Sequence, residues 1–426
     1  MSDQIDIKPT GPLNASIRPP GSKSITNRAL ICAALADGQS VLTGALDSED
    51  TGVMVAALRQ LGLQVTHDTS KSTIHITGCG GALPNDQADL NVANSGTTIR
   101  FLTAMLAACR GNFRLDGIAR MRERPIADLL TALEQLGGAA SSENVNGRPP
   151  VVIASNGLRG GQATIRGNIS SQFLSGLLMA APYSQQQVVI DVEGELVSKP
   201  YVTMTLGVMS AFGIDVDADK LDRFVIPTAH YRGCEYDIEP DASAASYFWG
   251  AAAVTGGTVV VEGLHRNSLQ GDVAFCDCLA QMGCKVDYAD NHIAVTGGSL
   301  CGISVDMKAI SDTVQTLAVV ALFARGPTTI TGVAHIRHKE TDRVGDLARE
   351  LRKLGAKVDE FEGGLTITPH TLRPAAIDTY NDHRMAMCFA IAGLNSPGVV
   401  IHDPGCTRKT YPNFFQDLHR LTSANA

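Results

Sequence analysis

Residues 275–295 read FCDCLAQMGCKVDYADNHIAV. Phe275, Leu279 and Met282 fall at i, i+4 and i+7, a spacing that lines one face of a helix. Gly283 follows at once, the residue that most cheaply adopts the left-handed conformation closing a helix. Lys285-Val286-Asp287-Tyr288, a turn at Asp290-Asn291 and His292-Ile293-Ala294-Val295 then alternate as a hairpin does. The same closing dipeptide stands at Leu61-Gly62, Leu136-Gly137, Phe212-Gly213 and Leu354-Gly355, giving spacings of 75, 76, 70 and 72. The stripe also returns at Met54/Leu58/Leu61, Leu129/Leu133/Leu136 and Leu347/Leu351/Leu354, and a sixth helix, Phe414/Leu418/Leu421, lacks only its hairpin. The chain is modular.

A second helix precedes each of these, apolar on nearly all sides, as in Ala29 to Leu35, Phe101 to Ala108 and Leu317 to Ala324. Such helices belong in the middle of a domain. Their starts are Ser22-Lys23-Ser24, Asn94-Ser95-Gly96, Ser170-Ser171-Gln172, Asp241-Ala242-Ser243, Ser311-Asp312-Thr313 and Asn381-Asp382-His383, all rich in N-cap chemistry. The first twenty residues alternate around a turn at Pro9 to Pro12 and are expected to supply the hairpin that unit six lacks. Both termini then share one domain, residues 1–20 with 240–426, and units one to three form the other, residues 21–239. The joins fall in the turn-rich segments Pro19-Pro20-Gly21 and Gly233 to Pro240.

The chain has 426 residues, 44% hydrophobic and 18% charged, enough for two or three domains with real cores. A net charge of −8 speaks against nucleic acid or an anionic membrane as a partner of the whole chain. No apolar run reaches the ~18 residues of a membrane span. The start, Met1-Ser2-Asp3-Gln4, carries no signal peptide, so a cytoplasmic location is expected. Ten scattered cysteines with no C-x-x-C pair read as reduced, mostly buried thiols, and no metal cluster is visible. Trp249 and its aromatic neighbours read as core.

Three parallel buried helices around a pseudo-threefold axis would present their N-termini at one end. Each carries roughly half a positive charge and unpaired N–H groups, which attract anions. Two such domains facing each other would focus six of these ends on one cleft. The charged loops add cations at corresponding repeat positions: Arg120 to Arg124, Ser198 to Tyr201, Arg337 to Arg343 and Thr407 to Lys409. Solvated surface charge is the usual reading of any single one. Their recurrence points instead to a small, strongly anionic ligand. The phosphate-loop frame, G-x-G-x-x-G after a first strand, H-E-x-x-H and G-x-S-x-G are all absent, which removes nucleotide, nicotinamide, zinc-protease and serine-hydrolase readings.

Eight segments in order closely resemble the 5-enolpyruvylshikimate-3-phosphate synthase family. They are Pro20 to Leu30, Asn94-x-Gly96-Thr97, Arg122-Glu123-Arg124-Pro125, Ser170 to Phe173, Leu196 to Tyr201, Lys339 to Arg343, Asn381 to Met385 and Asp403-Pro404-x-Cys406. The resemblance spans essentially the whole chain. It implies an α/β fold of two inside-out barrel domains, each of three βαβαββ units around a pseudo-threefold axis, with the site in the cleft between them. It also implies transfer of the enolpyruvyl group of phosphoenolpyruvate to the 5-hydroxyl of shikimate 3-phosphate, without cofactor or metal, by a monomer. By motif position, Ser24, Arg28, Ser170, Ser171, Gln172, Ser198, Tyr201 and Lys339 would hold shikimate 3-phosphate. Arg124, Arg343, Arg384, Lys409 and the backbone at Gly96 would hold phosphoenolpyruvate, with Lys23 touching both; His383 is left with two readings, a cap of its helix or a phosphate contact. Asp312 is the candidate base, Glu340 the candidate acid and Lys23 an assistant. Lys339 and Arg343 beside Glu340 oppose that role, because they favour its ionised form.

Three positions depart from the family pattern: His335 stands for an Asn that contacts the shikimate ring, Ser95 for Ala, and Phe101 for Pro. The last two imply a changed affinity for glyphosate, which occupies the phosphoenolpyruvate site in this family. Two rivals remain open. The UDP-N-acetylglucosamine enolpyruvyl transferases share fold and donor, but their loop cysteine is missing from Met121 to Glu123. A non-catalytic anion trap would have no use for Asp312 and Glu340 among the cations.

Overall fold

The computed structural model describes residues 3–423. The chain condenses into two compact units, residues up to 20 with 239–426, and residues 21–238. Twelve helices alternate in kind along it: α1 (Lys23–Leu35), α2 (Glu49–Gln60), α3 (Gly96–Ala108), α4 (Ala127–Gln135), α5 (Ser171–Ala180), α6 (Lys199–Ala211), α7 (Ala242–Thr255), α8 (Phe275–Gln281), α9 (Val314–Ala321), α10 (Gly345–Lys353), α11 (His383–Gly393) and α12 (Phe414–Ser423). Odd-numbered helices are almost wholly buried, as their uniform apolarity requires; every residue of α3 and of α11 is shielded from solvent. Even-numbered helices bury one stripe. In α10 that stripe is Leu347, Ala348, Glu350 and Leu351.

The second module shows how a unit is assembled. Gln87–Asn91 leads into α3, Arg110–Asp116 returns, α4 follows, and Ala140–Ser142 with Val151–Asn156 closes the hairpin. The leading strand pairs parallel with the second, Leu90 opposite Leu115. The hairpin strand pairs antiparallel with that second strand, Phe113 opposite Ile153. All four of these apolar residues are buried, so the period-two pattern sets which face of the sheet packs inward. Five sheets of four strands and one of three repeat this plan. Trp249 is fully buried and its indole donates to the Ile293 carbonyl at 3.2 Å, an anchor of the core. All ten cysteines are free thiols.

The amino-terminal segment differs from expectation. Gln4–Ile7 pairs antiparallel with Val399–His402 and thus extends the sixth sheet. Asn14–Ile17, however, pairs parallel with Thr258–Glu262 and becomes the leading strand of the fourth sheet. The two are not a hairpin. In the other unit, Glu235–Asp237, which precedes α7 in sequence, pairs parallel with Gln39–Thr43 beside α1. The chain therefore passes from one unit to the other between a leading strand and its own helix, and each leading strand stays behind. A parallel ladder accepts this because its partner need not be adjacent in sequence.

Gly283 follows α8 with φ +106, and a Cβ there would sit 2.8 Å from the Ser299 carbonyl oxygen. Gly256 caps α7 with φ +77 and open space around it. Both Ala variants suffer the left-handed penalty, but only the first also meets backbone. Gly283→Ala is expected to cost about 3 kcal/mol and Gly256→Ala about 1, compared by thermal unfolding of the full chain.

Candidate active site

Five of the six buried helices begin as N-cap chemistry dictates. Ser22, Ser95, Ser170, Asp241 and Asp382 accept from the backbone N–H of Ile25, Thr98, Gln172, Ala244 and Arg384 respectively. The Ser95 that replaces the family's Ala is thus a cap. At the fifth helix the expectation fails. Lys308–Thr313 forms a kinked 3-10 turn with Ile310 at φ −123, and no side chain caps α9. Asp312 lies in that turn. Its carboxylate is drawn to Lys339 at 2.5 Å, Arg384 at 2.8 Å and Arg343 at 3.2 Å. Three cations outcompete an N–H cap.

Those contacts belong to one lattice in the unit that holds both termini. Arg343, 2% exposed, also binds Glu340 at 2.8 Å and Asp382 at 2.7 Å. Burial alone would pull its pKa down, but Asp382, Glu340 and Asp312 more than reverse this and hold it above the usual value. Glu340 takes a second cation, Lys409, at 3.1 Å. The partners of Glu340 are therefore Arg343 and Lys409, whereas Lys339 pairs with Asp312. Burial lowers the Lys339 pKa, partly offset by Asp312. His335 lies in the turn Ala334–His338; burial, then Lys339, depresses its pKa to about 3, so it is a neutral ring. His383 is neutral for the same first cause, then Arg384, and both ring nitrogens are buried without a hydrogen-bond partner. Its helix is capped by Asp382, not by His383.

The other unit carries a second array. Arg28 is buried and donates to Thr205 Oγ1 at 2.7 Å, the Ser24 carbonyl at 2.9 Å, the Tyr201 carbonyl at 3.1 Å and Ser175 Oγ at 3.2 Å. Those bonds take up most of its five donors. The array thus makes Arg28 a brace between α1, α5 and α6, where the family resemblance assigned a ligand contact. The Phe101 ring, at the family's Pro position, lies 5.2 Å from its guanidinium, a cation–π contact. Burial lowers the pKa of Arg28 to about 10, still charged at neutral pH. Arg124 is buried and donates to the Asn94 carbonyl at 3.2 Å. A Cβ on Gly96 would press on its guanidinium, which would have to move to make room. Ser171 and Ser198 are buried, while Lys23, Ser24, Ser170, Gln172 and Tyr201 are partly accessible.

Among the remaining loop cations the structure separates surface from site. Arg122 pairs with Asp116, and Arg337 with Asp342 and Glu360. Sequence reasoning missed several residues that hold the arrays in place. Arg100 donates to Gln172 Oε1 at 2.6 Å, and buried Asp50 accepts from Asn27 and Thr97, each at 3.1 Å. Asp382 was legible only as a cap. A buried carboxylate beside the motif arginines is the signal that could have marked it as their counter-ion.

A cluster of buried guanidinium and ammonium groups interleaved with carboxylates, and a second of guanidinium groups bonded to neutral acceptors, both on repeated α/β modules, suit a transferase of small anionic metabolites. The family model for EPSP synthase (3-phosphoshikimate 1-carboxyvinyltransferase) matches residues 7–418, and the chain belongs to that family. Relatives named 3-phosphoshikimate 1-carboxyvinyltransferase are 49% identical in Nostoc punctiforme, over 96% of this chain and 97% of the relative, and 45% in Vibrio atlanticus, over 99% and 100%. A solved EPSP synthase from Acinetobacter baumannii superposes with a TM-score of 0.82 at 26% identity, covering 98% of each chain. Among the described residues no group of three or more His, Cys, Asp or Glu could hold a metal ion, and no helix is long and apolar enough to cross a membrane.

His335 tests the electrostatics. Its folded pKa of about 3 lies below the ordinary 6.5, so the unfolded chain binds the proton first. Folded stability is complete above pH 6.5 and is lost as pH falls from there toward 3. The gap between wild type and His335→Asn should open below pH 6.5, at up to about 1.4 kcal/mol per pH unit, in denaturant titrations across pH.

Proposed function

We infer that this enzyme transfers the enolpyruvyl group of phosphoenolpyruvate to shikimate 3-phosphate, the shikimate-pathway step that serves aromatic amino-acid biosynthesis. The observation that carries the reading is chemical. Asp312 and Glu340 each accept ion pairs from cations that the substrates' phosphates and carboxylates can also bind. Arg124, Arg343, Arg384 and Lys409 are assigned to phosphoenolpyruvate, with the backbone at Gly96. Arginine suits that ligand because its fork meets a planar carboxylate or a phosphate bidentately. Ser24, Arg28, Ser170, Ser171, Gln172, Ser198, Tyr201 and Lys339 are assigned to shikimate 3-phosphate, with neutral His335 against the ring and Arg28 also bracing Ser24 and Tyr201. Lys23 touches both substrates, and His383 offers a neutral ring nitrogen to a phosphate.

Chemistry then runs as addition and elimination. The 5-hydroxyl oxygen bonds to C2 of phosphoenolpyruvate, its proton passing to Asp312, while Glu340 delivers a proton to C3. The tetrahedral adduct next returns a proton from C3 to the Glu340 carboxylate, the C3–H electrons re-form the C2–C3 double bond, and the C2–O bond to phosphate breaks with its electron pair leaving on phosphate. Incoming phosphate oxygens compete for Arg343 and Lys409 and so free Glu340 to carry a proton. The same reading makes the enzyme a cytoplasmic monomer that needs no metal, cofactor or nucleic acid.

Inorganic phosphate should appear from phosphoenolpyruvate when shikimate 3-phosphate is added, and not when UDP-N-acetylglucosamine is added. With both substrates saturating, Glu340→Gln should lower kcat by about 10²- to 10⁴-fold. Near-normal turnover would remove Glu340 from the mechanism.

A further inference from the structure

Two consecutive residues ahead of α11, Tyr380 and Asn381, hold φ of +53 and +54. Neither is glycine, and a left-handed β-carbon costs energy that surrounding contacts must offset. These two residues deliver Asp382, the buried partner of Arg343, and then His383 and Arg384. The contacts that offset the strain come from α10. Glu350 is fully buried on the apolar stripe of that helix, a position where a carboxylate is costly unless its oxygens are used. Both are used. One accepts from the Tyr380 hydroxyl at 2.6 Å, the other from the Asp378 backbone N–H at 3.1 Å and from Lys353 at 2.8 Å. Lys353 also binds the Asp378 carboxylate at 2.6 Å. The same helix grips the other arm of the lattice: Asp346 accepts from the Thr341 hydroxyl and pairs with Arg349 at 2.5 Å, and Arg349 reaches the Tyr380 hydroxyl at 3.2 Å.

We propose that Glu350 and Tyr380 are positioning residues for phosphoenolpyruvate: α10 acts as a bracket that fixes the turn carrying Asp382–Arg384 against the loop carrying Lys339–Arg343. Neither residue belongs to the anion lattice itself. Their work is to keep a strained turn in the one conformation that lets Arg384 and Arg343 share the Asp312 carboxylate. A displacement of about 1 Å in such a pair is enough to cost binding of a ligand held by two guanidinium forks. The proposal rests on the assignment of Arg343 and Arg384 to phosphoenolpyruvate.

Tyr380→Phe keeps the ring and removes only the hydroxyl. It should raise KM for phosphoenolpyruvate roughly five- to twentyfold, leave KM for shikimate 3-phosphate within about twofold, and move Tm by less than about 3 °C. Glu350→Gln should shift the same KM in the same direction. The double variant should fall short of the product of the two single effects, because the two substitutions share the Tyr380–Glu350 bond. If Glu350→Gln does not fold, Tyr380→Phe decides alone. A KM for phosphoenolpyruvate within twofold of wild type in Tyr380→Phe, or equal rises for both substrates, would overturn the bracket. Arg384→Lys serves as the control for the underlying assignment: if it leaves KM for phosphoenolpyruvate unchanged, the assignment itself fails, whatever Tyr380→Phe does.

Discussion

A guanidinium removed from water must be surrounded by acceptors or it destabilises the fold. Arg343 meets that requirement with three carboxylates, Asp312, Glu340 and Asp382, at 2.7 to 3.2 Å. Each arrives from a different piece of chain: the turn before α9, the loop before α10 and the cap of α11. The arginine thus welds two buried helices and a loop at their amino ends. It also keeps two carboxylates and three further cations, Lys339, Arg384 and Lys409, within reach of one another. Such buried pairs are weak contributors to net stability, since desolvation offsets most of their attraction. They make better sense as a preorganised lattice whose partners can be exchanged for a substrate's anionic groups.

The two units solve the same problem in different ways. In one, carboxylates hold the cations. In the other, neutral acceptors do: Arg28 is satisfied by hydroxyls and carbonyls, Arg124 by Asn94, and Arg100 by Gln172 and the Pro125 carbonyl. That leaves the second array with more net positive charge and fewer groups able to exchange protons. In the proposed mechanism proton transfer accordingly falls to Asp312 and Glu340, and the second array is suited to grip and orient.

The modular plan could be read from the chain because it depends on local physics. A 3.6-residue stripe, a glycine that closes the helix and an alternating hairpin are each visible within twenty residues, as they are from Phe275 to Val295. Five of six helix caps were legible for the same reason. Strand pairing was not. Asn14–Ile17 lies beside Thr258–Glu262, some 240 residues away, and nothing within either strand names its neighbour. The site residues were visible as motif positions through family resemblance, but their working partners were not. That Lys339 serves Asp312 and leaves Glu340 to Lys409 depends on where three loops meet. The bonds of Arg28 to Thr205, Ser24, Ser175 and Tyr201 were likewise out of reach of the sequence. Asp312 looked like a cap until its cations were seen.

The mechanism stands on the proposed assignment of both Arg124 and Arg384 to phosphoenolpyruvate. Steady-state kcat/KM for phosphoenolpyruvate in Arg124→Lys, Arg384→Lys and the double variant tests it directly. Residues that share a ligand couple, whereas distant residues with no common partner act independently. The double variant should depart from the product of the two single effects by roughly tenfold or more. A product that holds within about twofold would mean that the two arginines serve separate anions, and would contradict the assignment of both to phosphoenolpyruvate.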